Sequence, residues 1–242
     1  MSDELTALNK QAILAAKQHM NHVCWPTVGL VLFVLAGFIT TLSLYATGMV
    51  SPWLAGLLIA ILTYMSYTPL HEAAHGNINN SRDDLKWLND LCGYLMAPFI
   101  MVPYASHKLE HFTHHRHTNQ EGKDPDFVVS GISKGPIAAI ITVIQFLWVQ
   151  NTFFVRQHWD KANLRERSVY AAELGFSWGW RIAFIAYLGH WEALAVVGLG
   201  YFAGGFFTAY WFAYRPHIPY QDPTRYRNTN SLIMPRWMKP LE

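Results

Sequence analysis

The residues of this chain with the clearest capacity for chemistry are seven histidines in two tight groups. His71-Glu72-Ala73-Ala74-His75 is the first, and His107, His111, His114, His115 and His117 follow within one stretch of eleven residues. Neutral imidazole is a good ligand for Zn, Fe, Cu and Ni, and gaps of four, three, one and two let several rings converge on one point. On a helix, positions i and i+4 share a face, so His71 and His75 project together, as do His107 and His111, with His114 continuing that stripe. A lone histidine is commonly a cap or a packed core residue. Seven in two groups read as metal ligands, and two groups point to more than one ion.

Carboxylates stand beside these histidines. Glu72, Glu110, Asp124 and Asp126 are placed to hydrogen-bond the second ring nitrogen of a ligand and fix its tautomer. Asp124-Pro125 reads equally well as a turn, so for the two aspartates both roles stay open. His19, His22, His158 and His190 read as structural.

The elements that carry the histidines are apolar. Of 242 residues 52% are hydrophobic and only 14% charged, unlike a soluble surface. Residues 25–50 contain no charged side chain, nor do residues 52–70, and each run is long enough to cross about 30 Å of hydrocarbon. The junction Gly48-Met-Val-Ser-Pro52 supplies the breakers of a tight helical hairpin. A further apolar region, about 174–214, is interrupted at Gly189-His190-Trp191-Glu192 and reads as a second hairpin. Segments 85–104 and 135–155 are expected to lie along the interface: 85–104 crossing alone would strand the two histidine groups on opposite sides, and 135–155, although apolar enough to span, keeps the topology consistent by lying flat. Residues up to about Asn21 read as a surface helix.

Charge placement tests that layout. All 18 lysines and arginines fall in the amino-terminal tail, in 71–134, in 156–181 or after 214, and neither short turn has any. Termini and histidines are therefore expected on the cytoplasmic side. The small net charge of +2 indicates no nucleic-acid partner. Cys24 and Cys92 imply neither a disulfide framework nor a cysteine metal site.

HEAAH matches the H-E-x-x-H pattern in which two histidines bind zinc and the glutamate is a general base. A membrane zinc metallopeptidase using His71, Glu72 and His75 is thus one reading, but it leaves residues 107–117 unexplained. A non-catalytic protein binding haem or metal ions is another; its histidines would face one another within the spans.

HEAAHG at the end of a second apolar helix, followed by HKLEHFTHHRHTN and DPDF, resembles the membrane fatty-acid desaturase and hydroxylase superfamily. HHRH before Asp124-Pro125-Asp126-Phe127, and Tyr214-Arg215-Pro216-His217 after the last span, are most similar to bacterial carotenoid ketolases and hydroxylases. The resemblance implies an all-α integral membrane fold of four transmembrane helices in two hairpins, with interfacial helices and a cytoplasmic histidine-rich cap. It implies an O2-dependent oxidoreductase holding two non-haem iron ions and acting on a lipid from the bilayer. The substrate would be a carotenoid ring or a fatty-acyl chain, and the electrons would come from an external donor such as ferredoxin. Position by position, His71 and His75 match the first histidine box, and His111, His114 and His115 the second. His107 and His117 lie outside the minimal pattern, each a ligand or a group that orients one, and His217 is a further candidate ligand. The family's third box, His-x-x-His-His after the last helix, has no counterpart here. Residues 1–242 are accordingly expected to form a single desaturase-like domain lacking that box, in a bacterial inner membrane.

Overall fold

The computed structural model describes residues 3–18, 20–231, 233 and 235–237; His19 lies outside them. Among the described residues eight α-helices follow one another: α1 Asp3–Lys17, α2 Trp25–Ala46, α3 Pro52–His75, α4 Lys86–Ile100, α5 Tyr104–His117, α6 Pro136–Gln157, α7 Leu164–Leu188 and α8 Trp191–Thr208. A 3-10 stretch, Pro125–Lys134, joins α5 to α6, and α8 passes into a π-helical turn, Ala209–Tyr214, and a 3-10 turn, Arg215–His217. Among the described residues there is no strand.

Local sequence explains the ends of α3. The Ser51 hydroxyl accepts from the Leu54 amide at 3.3 Å with Pro52 in the first turn, and Gly76 closes the helix at φ 74, in the left-handed region open to glycine. The Asn21 amide donates to the Asn80 carbonyl and the Cys24 amide to the Ile78 carbonyl, so α2 begins where α3 ends and the two are antiparallel. Against α8, by contrast, α3 runs parallel. A Cβ on Gly200 would meet Ile59 and the Gly56 carbonyl, and one on Gly204 would stand 2.6 Å from the Ala60 carbonyl. Only glycine permits that approach, as in the small-residue seams of membrane helices.

Among the described residues four helices are long and apolar enough to cross a membrane: Trp25–Ala46, Pro52–His75, Pro136–Lys161 and Trp191–His217. By length and apolarity alone, two segments stand apart from the expected layout. The segment 135–155, expected along the interface, belongs to a helix long enough to cross, and α7, expected to cross, is not in that set. Its interior carries Glu173, Ser177 and Arg181, which lower its apolarity. Packing nevertheless carries α7 along the bundle. It starts with Asn163 and Arg165 beside Lys108 of α5 and reaches Phe184, whose ring stands 6.4 Å from Tyr45 at the far end of α2. Outward it shows Phe176, Trp178, Ile182 and Tyr187. The helix α6, in contrast, packs on the 3-10 stretch and on the start of α5. Thr142 packs on Gly131, and the Phe154 amide donates to the Ser106 hydroxyl at 3.3 Å.

Nor does α4 lie flat. Its Asn89 side chain reaches the Ala73 carbonyl at the end of α3, whereas Phe99 stacks 4.3 Å from Phe38, well down α2. The helix dips into the bundle, and α5 returns from the bottom of the dip. Two charges on α7 secure that corner. Arg181 donates to the carbonyls of Pro98 and Phe99 at 2.7 and 2.9 Å, where α4 ends. Glu173 accepts from the amides of Tyr104 and Ala105 at 2.7 and 3.3 Å, where α5 begins. A cation at a helix carboxyl end and an anion at an amino end satisfy groups that the helices leave open and oppose their dipoles. Arg181→Ala is expected to cost about 3 kcal/mol, because buried carbonyls lose a charged donor. Arg181→Lys, a point charge without the guanidinium fork, is expected to recover part of that. Thermal melting in detergent measures both; an unchanged melting temperature for the alanine variant would sink the corner's role.

Candidate metal centre

The side chains of α3 and α5 are laddered. Tyr67 faces His107 with ring centroids 5.6 Å apart, His71 faces His111 at 4.6 Å and His75 faces His115 at 4.8 Å, each pair 40 residues apart in sequence. A constant offset means that the two helices run side by side in one direction, so equal i, i+4 spacing on each delivers four imidazoles to one place.

Those four are His71, His75, His111 and His115, whose candidate ligand atoms all lie within 4.8 Å of one another. Three Nε2 atoms are closer still: His111 to His75 at 2.7 Å, His115 to His111 at 3.0 Å and His115 to His75 at 3.2 Å. Protons cannot satisfy that triangle, since each nitrogen offers one hydrogen or one lone pair in its ring plane and three mutual contacts need more. A metal ion can. Ligands about 2.0–2.1 Å from a shared ion stand roughly 2.9–3.4 Å from one another. The donor set therefore fits a metal. Burial, with help from neighbouring histidines, pushes His111 far below the usual imidazole value and His115 down to about 4, keeping the rings neutral as ligands require.

The carboxylates divide as follows. His71 Nδ1 donates to Glu72 at 3.0 Å, and Asn77 steadies the other Glu72 oxygen at 2.8 Å, so the remaining nitrogen of His71 carries the lone pair. His114 does not join the four. Its Nδ1 donates to Asp124 at 2.8 Å, and its ring stands edge-on to that of His217, 4.9 Å away. His217 is brought there by the π and 3-10 turns, and its Nδ1 donates to the Asn228 carbonyl at 3.1 Å. Both rings thus present Nε2 to a cavity of about 670 Å³ that the four histidines also line. Burial disfavours the charged form of His114, but Asp126 and Asp124 outweigh it and raise its value.

His107 lies one turn below the cluster, fully buried, with Nδ1 on the Gln150 side-chain carbonyl at 3.3 Å and Nε2 without a partner. Glu110 is not beside a ring of the cluster but 3.8 Å from His107 Nδ1, and burial together with Asp126 raises it well above the usual carboxyl range. Asp126 accepts from Gln150 at 3.2 Å and lies 3.7 Å from His114. His117, the last residue of α5, stands outside the group. Gln150 and Asn228 had no place among the expected site residues. A glutamine buried in an otherwise apolar helix was the available signal for the first; a backbone carbonyl gives none for the second.

The sequence profile of the family described as fatty acid desaturase matches residues 47–241. Over 74 residues the chain is 31% identical to the Delta(12) fatty acid dehydrogenase of Crepis alpina, covering 31% of this chain and 18% of that one. Over 75 residues it is 28% identical to the sn-1 oleoyl-lipid 12-desaturase of Anabaena variabilis, 31% of this chain and 21% of the other. Over 54 residues it is 37% identical to the sn-1 acyl-lipid omega-3 desaturase (ferredoxin) of Nostoc sp. (strain 36), 22% and 14% respectively. The matched stretches thus span about a fifth or less of these relatives' own length.

Proposed function

The chain belongs to the fatty acid desaturase family, and from that premise we propose that it is an integral membrane, O2-dependent oxidoreductase carrying two non-haem iron ions. Its substrate in this reading is the acyl chain of a lipid; the names of the matched relatives move the lead from the carotenoid ring to an acyl chain. His71, His75, His111 and His115 would hold one iron, and His114 with His217 would face the other. Iron held by these histidines would supply the chemistry of O2 reduction and C–H oxidation. The protein's own part is positional: Glu72, Asp124 and the Asn228 carbonyl fix which nitrogen of each ring is free. Electrons would come from an external carrier such as ferredoxin.

The observation that carries this reading is the three-way contact of Nε2 atoms at the end of the bundle. The zinc peptidase reading uses only His71, Glu72 and His75, and Glu72 is held by His71 and Asn77 as an orienting acceptor. Elemental analysis of the membrane-purified protein decides between them: iron above one equivalent supports the proposal, one equivalent of zinc overturns it. Product analysis in a host of ordinary lipid content and in one making carotenoids separates the substrates.

The proposed topology has α2, α3, α7 and α8 crossing, α4 with α5 dipping in from the histidine side, α6 lying across that side, and the histidines cytoplasmic. With Cys24 and Cys92 replaced, single cysteines at Lys134 and Lys161 are expected to label from the cytoplasm and one at Met49 from the opposite face. Opposite labelling of 134 and 161 would show that α6 crosses and sink this arrangement.

A further inference from the structure

On the face of α5 turned away from the four histidines, the ends of α4, α5, α6 and α7 enclose a second cavity, of about 710 Å³. Four cations line it, Lys86, Lys108, Arg116 and Arg165, against two carboxylates. Both acids are already engaged: Asp90 accepts from the Tyr104 hydroxyl at 3.3 Å and Glu166 from the Asn163 amide at 2.9 Å. The cations have no carboxylate partner, although the Lys108 ammonium lies over the Tyr104 ring, 5.7 Å from its centroid. Among the described residues the lysines and arginines in ion pairs are Arg82 and Arg227, both elsewhere. The walls are aromatic, with Tyr94 edge-on to Tyr104 at 5.0 Å and Phe112 beside them. On the same α4, Trp87, Leu91 and Tyr94 are exposed, as residues facing a membrane interface are.

Excess positive charge above aromatic walls, in a recess of ordinary ligand size, matches an anion that carries an apolar body. We propose that this cavity binds the phosphodiester head group of an anionic glycerophospholipid. Inorganic phosphate shares the anionic chemistry but has no use for the aromatic walls. An acidic carrier protein would read a broad surface and not a recess.

The cavity also touches the histidines. Phe112 and Arg116, one turn apart on α5, line both chambers, and the Phe112 ring lies 5.9 Å from that of His75. A phospholipid anchored here has its glycerol at the ridge between head-group site and metal centre. The preferred substrate is then an acyl chain carried on an anionic phospholipid. That last step rests on the oxidative reading above; the binding does not.

The test uses the full chain in phosphatidylcholine nanodiscs containing a minor fraction of spin-labelled phosphatidylglycerol or spin-labelled phosphatidylcholine. Immobilisation of phosphatidylglycerol is expected to exceed that of phosphatidylcholine about tenfold, and the paired substitution Lys86→Ala, Arg165→Ala to bring the ratio near unity. Retention of Co(II) by the histidines, to which neither residue belongs, verifies that the variant is folded. An unchanged ratio in the folded variant overturns the proposal. So does displacement of the lipid by millimolar inorganic phosphate or by an acidic ferredoxin. Lipid preference without any oxidised product would defeat the functional reading alone; oxidation without lipid preference would defeat this inference alone.

Discussion

His111→Ala is expected to yield a protein that folds and inserts but has lost metal affinity by more than about 100-fold, with activity falling below detection. His111 Nε2 is the shared vertex of the triangle, 2.7 Å from His75 and 3.0 Å from His115. Removing it takes away one of the four imidazoles and two of the three close Nε2 approaches, leaving that of His115 to His75 at 3.2 Å. An affinity loss of 10–100-fold is typical when only the partner of a ligand is removed, so loss of the ligand itself exceeds it. Stability does not suffer in proportion, because the buried Nδ1 of His111 has no hydrogen-bond partner to lose. His117→Ala is the matched control from the same helix and is expected to leave binding unchanged. Titration with Co(II), followed by its visible absorption, measures both variants without any turnover. Equal affinity in His111→Ala and the unsubstituted protein would remove the cluster from the account.

The part of this site that sequence made legible is the part that depends on helical periodicity. His71 with His75 is the expected i, i+4 pair; on α5 the expected stripe is His107, His111 and His114, whereas the pair that faces α3 at the cluster is His111 with His115, again i, i+4. Less legible was the assignment of His114, which is contiguous with His115 yet points 100° around the helix toward His217 and Asp124. Consecutive residues on a helix cannot share one small site, so the motif divides between two. Run length and apolarity alone would have α6 cross and α7 not, the reverse of the proposed topology, for a related reason. Hydropathy records how apolar a segment is, not which face its polar groups take. On α7 the polar groups turn inward to the α4–α5 corner and leave an apolar outer face, whereas α6 packs through Thr142 on Gly131 and through Leu147 on Gly205 of α8. The dip of α4 depends on a corner closed by Arg181 from 82 and 83 residues away in sequence, which no local pattern encodes.

Asp124→Asn is expected to separate the two halves of the centre. The carboxylate of Asp124 is surrounded by donors: His114 Nδ1 at 2.8 Å, the Asp126 amide at 2.9 Å and the Asn119 amide at 2.8 Å. Asn119 in turn donates to the carbonyls of Asp222 and Asn228, both at 2.9 Å, and the Asn228 carbonyl is the acceptor that orients His217. One carboxylate thus holds His114 directly and supports His217 through a single asparagine. An amide has the same shape but only one accepting atom, so its NH2 group must meet either the Asn119 amide or His114. In the first case a buried donor is left unpaired, at about 1–3 kcal/mol. In the second the amide donates to Nδ1, the ring takes the other tautomer, and a hydrogen replaces the lone pair that His114 offers the cavity. Either way affinity at the His114 and His217 pair is expected to fall about 10–100-fold, while the four-histidine group, oriented through Glu72, keeps its ion. The measurement is iron per chain across a series of iron activities, for Asp124→Asn beside Glu72→Gln. Loss of the weaker ion alone in the first variant, and of affinity at the four-histidine group in the second, is the expected pattern. Simultaneous loss of both ions in Asp124→Asn, with the melting temperature unchanged, would mean that the six histidines form one site and not two.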